Sequence, residues 1–202
     1  MTSPFSFKEG WNLSSVIQVC NTALSYLGCR RIDSLTEHSE EARAAALHYE
    51  LCRNELLRGA SWNFARRVMS LVRLDKAVPG WDGVYQLPLD CLYVLDLYGA
   101  AGRSRARSEY RLMGREVLCG FEKPWAEYIS SEADPATFDS LFVAALAYRL
   151  AAAMAHDLTG NGGLKNQMMQ CYQQALAEAR LANGTEGYLE LAQSRRYLEE
   201  GD

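Results

Sequence analysis

The residues that could do chemistry are three histidines, six cysteines and scattered carboxylates, and their spacing assembles no catalytic set. His38, His48 and His156 make no H-E-x-x-H pair, and none stands beside a cysteine at zinc-ligand spacing. His156 falls in the last turn of an expected helix, where the dipole suits a cation, and His48 reads as a surface or interhelix hydrogen-bonder. Cys20, Cys29, Cys52, Cys91, Cys119 and Cys171 contain no C-x-x-C and read as small apolar residues of a reducing compartment. There is no G-x-S-x-G elbow and no Walker A loop; Gly160 to Gly163 reads as a turn between helices. No apolar pocket is evident that would shift a carboxylate. Enzyme is therefore the weakest class, with no catalytic residue, metal ligand or cofactor expected.

Two charged features remain. Arg103, Arg105, Arg107, Arg111 and Arg115 cluster in one loop and hairpin, tempered by Glu109 and Glu116. They read either as a solvated hairpin edge that resists strand addition or as a cationic rim for an acidic partner or DNA phosphate. The second feature is the tail from Thr185 to Asp202, where Tyr188, Leu189, Leu191, Tyr197 and Leu198 alternate with charges that include Arg195 and Arg196. It reads either as disorder or as a segment that orders on a partner.

The elements around these features follow from periodicity. With 202 residues and 49% hydrophobic content, the chain can bury one sizeable core. A net charge of −4 and a pI near 5.5 disfavour general nucleic-acid binding. No charged n-region precedes an apolar run, so no signal peptide is expected, and no uncharged run reaches membrane-spanning length. Phe5 and Phe7 lie in an arm before the first helix, exposed unless they dock.

Helices are expected over about 12–28, 39–59, 135–159 and 163–182. Gly28 ends the first, and Ser39 caps the second ahead of Glu40 and Glu41. Ala42, Ala45, Ala46, Tyr49, Cys52, Leu56 and Leu57 share one face of the second. Trp62 and Phe64 follow, as plugs of the core end or, less simply, as an aromatic platform for a base. Asp134-Pro135 starts the alanine-rich third helix, and the fourth stops near Asn183-Gly184. Between about 68 and 131, short β-branched and aromatic segments alternate with turns such as Pro79-Gly80 and Met113-Gly114. The expected fold is α+β, mainly α: an antiparallel bundle of about four helices with a small inserted antiparallel β-region and a C-terminal extension. Residues 1–184 form one domain and 185–202 a tail.

Several of these residues, in order, resemble a known family. Asn21, Ala23, Leu24, Leu27 and Gly28, followed by Ile32, Ser34, Leu35 and Glu37, resemble an "N-x-A-L…L-G…I-x-S-L-x-E" opening. Ala42, Tyr49, Arg53, Leu56 and Leu57 lead into Trp62-Asn63-Phe64-Ala65, and Tyr85, Leu87-Pro88 and Asp90-Cys91 resemble a "Y-x-L-P-x-D-C" strand. The alanine-rich helix from Phe138 to Ala155 completes the set. Over roughly 12–182 the chain resembles the tail tubular protein A family, the head-to-tail adaptors of short-tailed bacteriophages.

That resemblance implies a non-enzymatic virion protein at the neck, assembled in the bacterial cytoplasm. It implies a ring, usually of twelve copies, between the portal protein and the tail nozzle protein. Double-stranded DNA passes through the lumen without specific recognition, and no membrane or cofactor is involved. The arginine hairpin would then meet a neighbouring subunit or the nozzle, and the tail would dock on the portal. Two other classes stand beside it. One is a cytoplasmic helical interaction adaptor, separable by particle size. The other is a nucleic-acid-binding module built on Trp62, Phe64 and the arginine hairpin, which would show salt-dependent DNA affinity.

Overall fold

A computed structural model of the chain describes residues 16–99 and 110–199, with side chains as far as residue 186. The described chain holds four α-helices and seven strands in two antiparallel sheets. It packs as two compact units: Leu57–Glu132, and the segments on either side of it.

In the helical unit, α1 (Val16–Tyr26) buries Val19, Cys20, Ala23 and Leu24. It ends at Gly28, whose φ of +69° is the left-handed conformation glycine adopts at no steric cost. The Gly28 amide donates to the Ser25 carbonyl and the Cys29 amide to the Leu24 carbonyl, closing the helix end. The connector is then pinned back. Asn21 donates its amide to the Ile32 carbonyl at 2.9 Å and accepts from the Ile32 N–H at 2.8 Å. Glu37 accepts from the Asp33 N–H and pairs with Arg30. The Asn21…Ile32…Glu37 spacing thus fixes one turn.

Helix α2 (Glu40–Arg58) is capped by Ser39, whose hydroxyl accepts from the Ala42 N–H at 3.2 Å. Ala42, Ala45, Tyr49, Cys52, Leu56 and Leu57 are buried as expected, but Ala46 is exposed and Ala44 takes its place in the core. Helix α3 (Ser140–Thr159) starts later than Asp134-Pro135 suggests. That pair nucleates only a short 3-10 turn, Pro135–Thr137, and the α-helix has its own cap in Asp139. The Asp139 carboxylate accepts from the Leu141 and Phe142 N–H groups at 2.8 and 3.4 Å. Asp139→Ala should therefore cost about 1 kcal/mol in urea unfolding; an unchanged midpoint would show that the cap contributes nothing.

Helix α4 (Gly162–Glu199) runs 38 residues, a length of roughly 57 Å. It passes Asn183-Gly184 without stopping, contrary to the expected end there. Gly184 is not among the positive-φ glycines, and Thr185 Oγ donates back to the Leu181 carbonyl in helical geometry. A glycine inside a helix costs about 1 kcal/mol but ends it only by turning left-handed.

The expected four-helix bundle is corrected as well. Helix α3, apolar on most sides, is the hub: α1 and α4 pack on it, and Tyr26 stacks on Tyr148 at 4.5 Å. Helix α2 reaches α3 through Arg149, which forks onto Glu55 at 2.7–3.2 Å, and through Cys52. Three helices on one hub do not make a clear four-helix bundle, and the β-region is not small.

The β-unit is two sheets with a core of their own. Strands β1 (Arg66–Ser70), β7 (Trp125–Ser130) and β4 (Cys91–Tyr98) form one, in the order β1-β7-β4. Strands β2 (Val72–Arg73), β3 (Gly83–Gln86), β6 (Glu116–Cys119) and β5 (Tyr110–Met113) form the other, in the order β2-β3-β6-β5. Tyr85, Val117 and Cys119 from one sheet pack with Val94, Leu97 and Tyr128 from the other. The run from Val68 to Leu74, the first of the β-branched segments, is split at Leu71, whose N–H donates to the Pro124 carbonyl at 2.8 Å before the chain crosses to the second sheet. The β5–β6 hairpin turns at Gly114, with φ of +59°.

Candidate functional site

The residues singled out in sequence fall into three groups. The first is a structural signature. Trp62 is buried, and Phe64, half-buried, stacks on it at 6.0 Å in the 3-10 turn Asn63–Ala65. A base therefore has no access to the Trp62 ring, which removes the stacking platform from the nucleic-acid reading. Tyr85 is buried, and its hydroxyl donates to the carbonyls of Phe121 and Glu122. The Pro88 carbonyl accepts from Arg115.

Asp90 is the centre of this group. Its carboxylate accepts from Ser130 Oγ at 2.6 Å, from the Tyr128 hydroxyl at 3.1 and 3.2 Å, and from Arg67 at 3.0 Å. Its carbonyl also accepts from the Ser131 N–H. Burial pushes the Asp90 carboxyl up, but the bonds from Ser130 and Tyr128 and the Arg67 charge outweigh it and hold the carboxyl below its ordinary value. Burial, with the Asp90 charge beside it, raises the Tyr128 phenol to about 12. Tyr128 and Ser130 are both fully buried, and the cluster ties the start of β4 to β7 and β1.

The second group is the arginine hairpin. Arg103, Arg105 and Arg107 lie outside the described residues. Arg111 is exposed on β5. Arg115 does not stand free: it spans from the hairpin turn to the Pro88 and Cys91 carbonyls. The third group is the tail. Tyr188, Leu189, Leu191, Arg195, Arg196, Tyr197 and Leu198 belong to the span of α4, and their side chains lie outside the described residues. Just before them Leu181 is 74% exposed.

Among the described residues no group of three histidines, cysteines or carboxylates could hold a metal. His48 meets Asp157 at 3.5 Å, across two helices. Burial pushes Cys20 to about 12 and Cys52 to about 11, so both thiols stay protonated at neutral pH. An open polar depression of about 400 Å³ lies along α1, lined by Gln18, Asn21, Thr22, Ser25 and Arg31 with Ile17, but the Asn21 amide is committed to Ile32.

Sequence reasoning missed two exposed apolar surfaces. Leu47 and Leu51 stand one turn apart on the outer side of α2, 64% and 68% exposed. Val68, Met69 and Val72 are exposed along β1 and β2. The i, i+4 leucine spacing carried the first signal, and the uncharged run from Val68 to Val72 carried the second. The chain matches no family model and no curated protein.

Proposed function

We propose that the chain is a subunit of a head-to-tail adaptor ring of a short-tailed bacteriophage, seated between portal and tail nozzle. The observation that carries this reading is the ordered run of motif residues from Asn21 to Cys91 that resembles the tail tubular protein A family. Each part of that run does something definite in the fold. Asn21 clamps Ile32, Trp62 and Phe64 build the 3-10 turn, and Asp90 gathers three strands. Exposed apolar surfaces at Leu47, Leu51 and Leu181 are what a subunit that buries more surface on assembly would carry. A ring subunit needs two different faces that meet, and it needs no reacting group. In this reading DNA passes an acidic chain without adhering, and the distal part of α4 docks on the portal.

The experiment is a pull-down on purified portal rings with electron microscopy of the particles. Deleting residues 187–202 should leave the thermal midpoint within about 2 °C, since the described α4 side chains just before the cut are exposed, and should abolish portal binding. Full-affinity binding by the truncated chain would remove the docking role. Virions without density for this chain at the neck would remove the whole reading.

A further inference from the structure

Among the described residues the two sheets of the β-unit present four edges, and three of them are blunted. Strand β4 carries two register shifts, β2 is two residues long, and β5 is four residues with Arg111 in it. These are the usual devices against strand addition. Strand β1 pairs in regular register over five residues, and its stretch Val68, Met69 and Ser70 is uncharged, with Val68 and Met69 57% and 45% exposed. Its two arginines are drawn off the edge, Arg66 to Glu127 and Arg67 to Asp90.

The direction of the β1 backbone follows from one bond. The Leu71 N–H donates to the Pro124 carbonyl, and residues 71 and 124 continue the register that pairs Met69 with Ala126 and Arg67 with Tyr128. In an antiparallel pair the bonded residues alternate. Arg67, Met69 and Leu71 therefore turn their main chain toward β7, while Val68 and Ser70 turn N–H and C=O outward. The Arg66 carbonyl points the same way, its N–H being held by the Asn63 carbonyl.

We propose that β1 is a self-pairing edge: two copies of the chain join antiparallel through it, centred on Val68, and make one six-stranded sheet. This register uses every outward group but the Ser70 carbonyl, since the Arg66 N–H that would face it is held by Asn63. Val68 exchanges both bonds with the Val68 of the second copy, and each Ser70 N–H meets the opposite Arg66 carbonyl. It sets Arg66 across from Ser70 and Arg67 across from Met69, so no like charges face each other. On the outer face the two Val68 side chains meet, beside the half-exposed Trp125. A two-fold contact closes on itself and builds no ring, so it describes the chain outside ring assembly and does not rest on the neck reading.

The contact is small and belongs to the weak class of interfaces, so it is sought at high concentration. Amide exchange and sedimentation of the full chain between about 0.01 and about 1 mM test it at chain concentrations where weak pairs populate. The Val68 and Ser70 amides should slow about four-fold across that range for a pair with a Kd of about 0.1 mM, while the Leu71 amide, already bonded, should not change. Val68→Pro removes the outward N–H at an edge position that tolerates proline and should weaken association at least ten-fold. Val68→Lys keeps the N–H, sets two cations across the two-fold axis and should do the same, with partial recovery in salt. A monomer mass throughout overturns the proposal. So does protection that is independent of concentration, which would mean that another segment of the same chain covers the edge. Unweakened association in a folded variant overturns it too.

Discussion

Asp90→Ala is expected to lower the stability of the β-unit by about 3 kcal/mol, the lower end of what breaking a buried charge cluster costs. The size follows from what would be stranded. Ser130 is fully buried with its hydroxyl 2.6 Å from Asp90, and the Tyr128 hydroxyl would lose its acceptor. Arg67 would lose less, since its side chain is 40% exposed and Glu132 offers a second partner. Asp90→Asn keeps the shape and some of the hydrogen bonds and should cost about half as much.

The pH dependence of that difference has a definite sign. The folded carboxyl titrates below its ordinary value. Its stabilisation is therefore complete above the unfolded value of about 3.9 and is lost as pH falls through the lower, folded value. Urea melts of wild type and Asp90→Asn should diverge at pH 7 and converge toward pH 2. Parallel curves down to the acid limit would show that the Asp90 charge contributes nothing.

Trp62→Ala is the second large effect, about 3–5 kcal/mol, the range for removing a large buried aromatic. The ring is 1% exposed, and its removal also takes the surface on which Phe64 stacks. Phe64 itself is half-buried, so Phe64→Ala should cost clearly less, and Trp62→Phe should recover most of the loss. Chemical unfolding followed by circular dichroism measures all three. A Trp62→Ala loss under 1 kcal/mol, or a larger loss at Phe64 than at Trp62, would mean that the 3-10 turn does not anchor the core.

Local chemistry made much of this legible in the sequence. The faces of α1 and α2 were readable because a 3.6-residue period separates buried from exposed positions. Ser39, Gly28 and the Gly114 hairpin were readable because a cap or a left-handed turn depends on a few adjacent residues. Most of the strands were readable from turn residues between β-branched runs.

What tertiary structure decided lies wherever distant segments compete. The partners of Asp90 are 23, 38 and 40 residues away, so no local pattern marks it as the centre of a cluster. The strand from Val68 onward keeps its character through Leu71, and only the Pro124 carbonyl and the second sheet make it change partners there. Two sheets facing each other give the β-unit its own core, which makes the segment inserted between the helices a second compact unit, and the helices group around α3 rather than in a four-helix bundle. Asp139 overrules Asp134 as the cap of α3 because helix starts are chosen by what the first turn can bury as well as by cap chemistry. Gly184 and the edge of β1 make the same point from opposite sides. A glycine's effect on a helix and a strand's need for a partner both depend on which neighbours the folded chain supplies, and a one-dimensional pattern does not contain them.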